Sequence, residues 1–90
     1  MNQLKFFYNV IHDLWNFCKE ELTKPNSEMD EDDWERVCER ARQLSSKYKN
    51  LGENEQQFFT HTILEFMEYV DHQDKEYVCE NGHNYWKKKQ

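Results

Sequence analysis

The sequence predicts an all-α fold: a three-helix bundle with antiparallel neighbours, followed by a short basic C-terminal tail. Three observations carry that prediction. The helix breakers are few and widely spaced, with Pro25, Gly52 and Gly82 as the only Pro and Gly residues among 90. Pro lacks an amide donor and clashes with the preceding turn, and Gly costs backbone entropy, so both belong at helix ends. Between these breakers apolar residues recur at helical spacing, and no stretch shows the period-two alternation that a strand requires. The connections are short, which sets successive helices side by side in opposite directions. The predicted helices span about 3–23, 31–50 and 55–78 inside a single domain over 1–82, and 83–90 form the tail.

In the first helix, steps of about 100° per residue gather Leu4, Phe7, Tyr8, Ile11, Leu14, Trp15, Cys18 and Leu22 into one broad apolar stripe. A second stripe, Phe6, Val10 and Phe17, lies beside it, and Lys5, Asn9, His12, Asn16, Lys19 and Glu20 fill the rest. A helix apolar over more than half its circumference is either central, touching both neighbours, or carries an exposed contact surface. Under the second assignment Phe6, Val10 and Phe17 are the candidate surface.

The second helix opens on Asp30 as N-cap, with Asp33 at its third position and Met29 and Trp34 placed as a hydrophobic staple. Trp34, Val37, Cys38, Ala41, Leu44, Tyr48 and Leu51 form a single narrower stripe, and Gly52 stands where a left-handed C-cap glycine is expected. The third helix is expected to start at Asn54, with Gln57 in the reciprocal capping position. Phe59, Ile63, Phe66, Met67, Val70 and Tyr77 are its inward residues, and the polar run from 71 to 76 offers an earlier end or a kink.

Composition narrows the function. Hydrophobic residues are only 37% of the chain but aromatics are 16%, so the core must be built from few, large side chains. Each buried aromatic removes roughly 150–250 Å² from water, which makes that feasible. A net charge of −6 argues against general affinity for nucleic acid or anionic membrane. The three cysteines are odd in number and not closely spaced, so no disulfide framework is expected. The apolar run at 6–11 is interrupted by Asn9 and followed by His12 and Asp13, unlike a signal peptide, and the expected location is the cytoplasm.

Candidate chemistry is sparse. His61, Glu65, Glu68 and His72 share a helical line with zinc-type donors, and Cys79 with His83 makes a C-x3-H pair, but neither supplies a closed four-ligand set. Arg36, Arg40, Gln43 and Lys47 make a polar stripe that would suit a phosphate backbone, and Lys87, Lys88 and Lys89 add a basic patch. Acid at the start of the second helix and base near its end is also what the helix dipole favours. There is no Gly-rich phosphate loop, nucleophile elbow or HExxH motif, so no catalytic, cofactor or metal residue is predicted.

The densest charge is the run Glu28, Asp30, Glu31, Asp32 and Asp33. Asp30, Glu31, Asp32 and Asp33 are therefore the candidate partner-binding acids, steering toward a basic protein surface, with Phe6, Val10 and Phe17 as apolar anchors. Leu14, Trp15 and Phe17, then Asp32, Asp33 and Trp34, then Ala41, Leu44 and Tyr48, and finally Glu68, Tyr69 and Val70 form a pattern over about the first 70 residues. It resembles a loose group of small helical proteins encoded in prophages and integrative elements of Firmicutes. The resemblance implies a mobile-element accessory protein that binds and modulates a host protein, including anti-defence inhibition of the anti-CRISPR kind. The expected partner is a host protein with a basic surface, such as a nucleic-acid-binding effector. Two other readings are a homo-oligomeric structural module pairing through Phe6, Val10 and Phe17, and a nucleic-acid-binding regulator using the second helix and the lysine tail.

Overall fold

The computed structural model describes residues 2–88. Its elements in chain order are α1 (Gln3–Glu21), a 3-10 turn (Asn26–Glu28), α2 (Glu31–Tyr48), α3 (Glu53–Asp71), β1 (Lys75–Glu80) and β2 (His83–Lys88). Lys89, the last residue of the predicted lysine patch, lies outside the described residues. Three helices are present, and a C-terminal hairpin accompanies them, so the fold is not purely α-helical.

Each helix start has a local cause. Asn2 caps α1 by accepting the Lys5 amide at 2.9 Å. At α2, Asp30 accepts the Asp33 amide at 2.8 Å, and Asp33 accepts the Asp30 amide at 3.2 Å. This is a complete capping box, with Asp in the place more often held by Glu. Gly52, at φ +141°, caps the start of α3 instead of ending α2. That backbone angle disfavours any L side chain, and a Cβ there would also meet the Glu55 carboxylate.

The helices share one core of Val10, Leu14 and Phe17 from α1, Val37, Ala41 and Tyr48 from α2, and Phe59, Ile63 and Met67 from α3. Tyr48 stacks on Phe59 with centroids 4.3 Å apart, and Phe6 meets the Tyr48 ring edge-on at 6.1 Å. Val10 and Phe17, expected as a partner surface, are thus interior residues at 3% and 0% exposure. The rotation of α1 is fixed by charge as well as by apolar area. Asp13 accepts from Lys47 at 2.8 Å and from the Tyr48 hydroxyl at 2.7 Å, Glu20 pairs with Arg40 at 3.1 Å, and Glu21 pairs with Arg36 at 3.2 Å. Turning the broad stripe inward would carry Asp13 and Glu20 away from α2.

The predicted third helix runs too far. It ends at Asp71, and residues 75–80 pair with 83–88 as an antiparallel ribbon, where helix and then an unstructured tail were expected. Asn81 and Gly82 form its two-residue turn with φ of +50° and +79°. Both central residues of a type I′ hairpin need positive φ, and Asn-Gly supplies them most readily. Within the ribbon the Trp86 ring lies 5.0 Å from its cross-strand partner Tyr77, and it meets His72, the C-cap of α3, at 5.1 Å. The first connection is fastened to the end of α3 by Asn26, whose amide donates to Gln73 at 2.9 Å. Among the described residues no helix is long and apolar enough to cross a membrane.

Candidate binding face on the first and third helices

With Val10, Leu14 and Phe17 turned inward, only Leu4, Phe7, Tyr8, Ile11 and Trp15 of the broad stripe face out, while Cys18 and Leu22 pack partly against the core. Leu4, Tyr8, Ile11 and Trp15 follow one another at helical spacing and are 77, 66, 66 and 63% exposed. Phe7, beside them, is half-exposed and lies 6.3 Å from Phe58 near the start of α3. Toward the other end, Cys18 and Leu22 line a shallow hollow with Phe66, Tyr69 and Val70. Phe58, Phe66 and Tyr69 are themselves substantially exposed. The two helices therefore present one continuous apolar face, spanning the seam between them.

Taking about 150–250 Å² for a whole aromatic side chain and somewhat less for Leu and Ile, the exposed parts of these eight residues amount to roughly 800 Å². A typical monomer's largest apolar patch is about 300–600 Å², so this face exceeds the ordinary range. Val10 and Phe17 of the expected contact stripe are interior, and the exposed apolar residues of α1 are instead Leu4, Phe7, Tyr8, Ile11 and Trp15. The pairs of Asp13 with Lys47 and Glu20 with Arg40 hold α1 in this rotation, and they exist only once α2 is in place.

The acidic cluster is divided by the fold. Asp33 is buried, at 7% exposure, and is held by Lys24 at 3.1 Å and Arg36 at 3.0 Å in addition to the capping box. The Asp30 amide, then Lys24 and Arg36, hold its carboxyl down at about 2. Asp33 is therefore a structural residue, correcting its expected place on a partner surface. Asp30 has its side chain engaged as the cap, while Glu31 and Asp32 are exposed.

The lowered carboxyl fixes a pH dependence. A group whose pKa falls on folding stabilises the native state above its unfolded value and loses that contribution as pH drops through the folded one. For Asp33 the window runs from 3.8 down to about 2. Asp33→Asn should lower the urea midpoint at neutral pH, and the gap to wild type should close between those values. Parallel midpoint curves across pH 2–7 would refute the assignment.

The other candidates do not assemble. Arg36, Arg40 and Lys47 are each committed to carboxylates of α1, and Arg42 pairs with Glu39 at 2.8 Å. No group of three or more His, Cys, Asp or Glu among the described residues is placed to hold a metal ion. His61, Glu65 and Glu68 lie exposed along α3, and His72 turns toward Trp86. Cys79 is paired in register with Asn84 and His83 with Glu80, so Cys79 and His83 sit on opposite faces of the ribbon. Burial pushes the Cys18 thiol up, and its side chain packs against the core. A hollow of about 370 Å³ between α2 and α3 is lined by Cys38, Ala41, Ile63, Leu64 and Met67, with Arg42, Ser45, Ser46 and Thr60 at its polar positions.

No known family model, curated protein or solved structure matches this chain.

Proposed function

We propose that this chain is a non-enzymatic protein-binding module, and that its contact surface is the apolar face formed by α1 and α3. The observation that carries the reading is the row Leu4, Tyr8, Ile11 and Trp15, four large side chains left about two-thirds or more exposed on one helix face. Leaving such a row in water forgoes burial worth roughly 1.5–3 kcal/mol for each large side chain, and association recovers it. Aromatic anchors at the centre of a patch are the usual carriers of binding energy between proteins. Pairing of the α2 cations with carboxylates favours a protein partner over a phosphate backbone.

The reading takes the helices as an up-down-up bundle. Phe7 meets Phe58 near the starts of α1 and α3, and Cys18 and Leu22 meet Phe66 and Tyr69 near their ends, which supports a common direction for the two. The resemblance to Firmicutes prophage proteins extends the proposal to an accessory factor that modulates a host protein, anti-CRISPR inhibition being its sharpest form. That extension rests on the resemblance alone. Glu31 and Asp32 are the part of the acidic cluster left to steer such a partner.

In a lysate of the native host, the chain should elute from a sizing column well above its own 11.2 kDa. The double substitution Ile11→Glu with Trp15→Glu should return it to monomer size. Elution of the wild-type chain as a monomer from that lysate would dispose of the reading.

A further inference from the structure

We infer that the occupant of the α1–α3 face is a second copy of this chain, related by a twofold axis parallel to the two helices. The inference rests on the binding-face reading and adds the identity of the partner. Area is the first support. A standard protein interface takes about 800 Å² from each partner, and the eight exposed side chains of the face supply about that amount.

Charge is the second support, and it also selects the axis. On the α1 side the face is bounded by the line of Lys5, His12 and Lys19, and on the α3 side by His61, Glu65 and Glu68, all exposed. Lys5, Lys19, Glu65 and Glu68 have no ion-pair partner among the described residues, whereas Arg36, Arg40, Arg42 and Lys47 on α2 are all paired. One edge of the face is therefore basic and the other acidic. Rotation about an axis parallel to the helices lays the α1 edge of one copy over the α3 edge of the other. Cys18 shares a hollow with Phe66 and Tyr69, so Lys19 stands level with Glu65 and Glu68. In the dimer the Lys19 ammonium faces those two carboxylates of its partner, twice over by symmetry. An axis perpendicular to the helices in the same plane would set base against base and acid against acid. Glu31 and Asp32, on α2, stay outside the dimer.

An acidic flank and a net charge of −6 speak for a protein occupant over an anionic lipid surface. Phosphatidylcholine and anionic vesicles therefore serve as controls.

Sedimentation equilibrium of the purified full chain, from low to several hundred micromolar, should show a monomer–dimer equilibrium. Lys19→Glu should weaken it about 5- to 10-fold at low salt, with the difference fading at 1 M salt. Glu65→Lys with Glu68→Lys should weaken it similarly. The triple variant carrying all three reversals should regain the wild-type constant, because each edge then meets its opposite again. Circular dichroism confirms that each variant is folded, since every position is exposed. A monomer throughout, unchanged affinity on reversing one edge, or flotation with either vesicle would overturn the dimer. A monomer when pure that is still complexed in host lysate would overturn the dimer alone and leave the protein-binding reading standing.

Discussion

Replacing Phe59 by Ala should destabilise the domain more than any surface change, by about 3–5 kcal/mol. Phe59 is completely buried and its ring lies flat on Tyr48, with centroids at 4.3 Å and planes 14° apart. Tyr48 is itself nearly buried, at 2% exposure, and its hydroxyl donates to Asp13, so the stack joins the apolar core to the α1–α2 charge network. Burial, followed by the bond to Asp13, pushes that phenol up and keeps it neutral and donating across the physiological range. Truncating Phe59 thus removes transfer free energy, opens a cavity and leaves one face of Tyr48 without contacts. A domain of 90 residues has a total stability of about 5–13 kcal/mol, so the loss is a large fraction of the whole. The melting temperature should fall by roughly 15–30 °C. Phe59→Leu, which keeps most of the volume, should cost much less. A fall of only a few degrees for Phe59→Ala would mean that the core is not centred on this stack.

Ile11→Glu combined with Trp15→Glu should do the reverse: leave the fold intact and abolish association. Both side chains are nearly two-thirds exposed, and Glu is a good helix former, so each change should alter stability by no more than about 0.5 kcal/mol. At a desolvated interface the same changes delete two anchors and bury two charges without partners. Loss of one hot-spot side chain costs about 2 kcal/mol or more, so the pair should weaken binding at least about 100-fold. Circular dichroism and thermal melting, at a concentration where the wild-type chain is monomeric, check the first half, and sizing chromatography checks the second. A variant that melts far below wild type would show that Ile11 and Trp15 support the fold. One that associates normally would move the contact surface elsewhere.

The helices were readable because local chemistry and long-range packing agree in them. Asp30, Asp33 and Trp34 mark the start of α2 by a mechanism within a few residues, and Phe59, Ile63, Met67 and Val70 recur at helical spacing on the buried side of α3. The rotation of α1 was less legible, since a helix with two apolar stripes satisfies periodicity whichever one turns inward. Ion pairs to residues 15–34 positions away decide it, and those depend on the placement of a second helix. The hairpin was legible and overlooked. Asn81-Gly82 is a strong turn signal, but the flanking Lys75, Glu76, Glu80 and Lys87 suggest a solvated helix end. What selects the ribbon instead is cross-strand pairing, Glu76 with Lys87, Tyr77 with Trp86 and Val78 with Tyr85. The acidic cluster was visible as composition, yet its division into buried Asp33, capping Asp30 and exposed Glu31 and Asp32 required the positions of Lys24 and Arg36.

The central claim is that the apolar α1–α3 face, rather than the acidic start of α2, is where this protein meets its partner. A photo-crosslinking benzoylphenylalanine in place of Ile11, and separately in place of Asp32, tests it inside the native host with the full chain. Irradiation should give a discrete adduct from position 11, at twice the 11.2 kDa chain mass if the partner is a second copy, and none from position 32. An adduct from position 32 with none from position 11 would contradict the account and return the contact site to the acidic cluster.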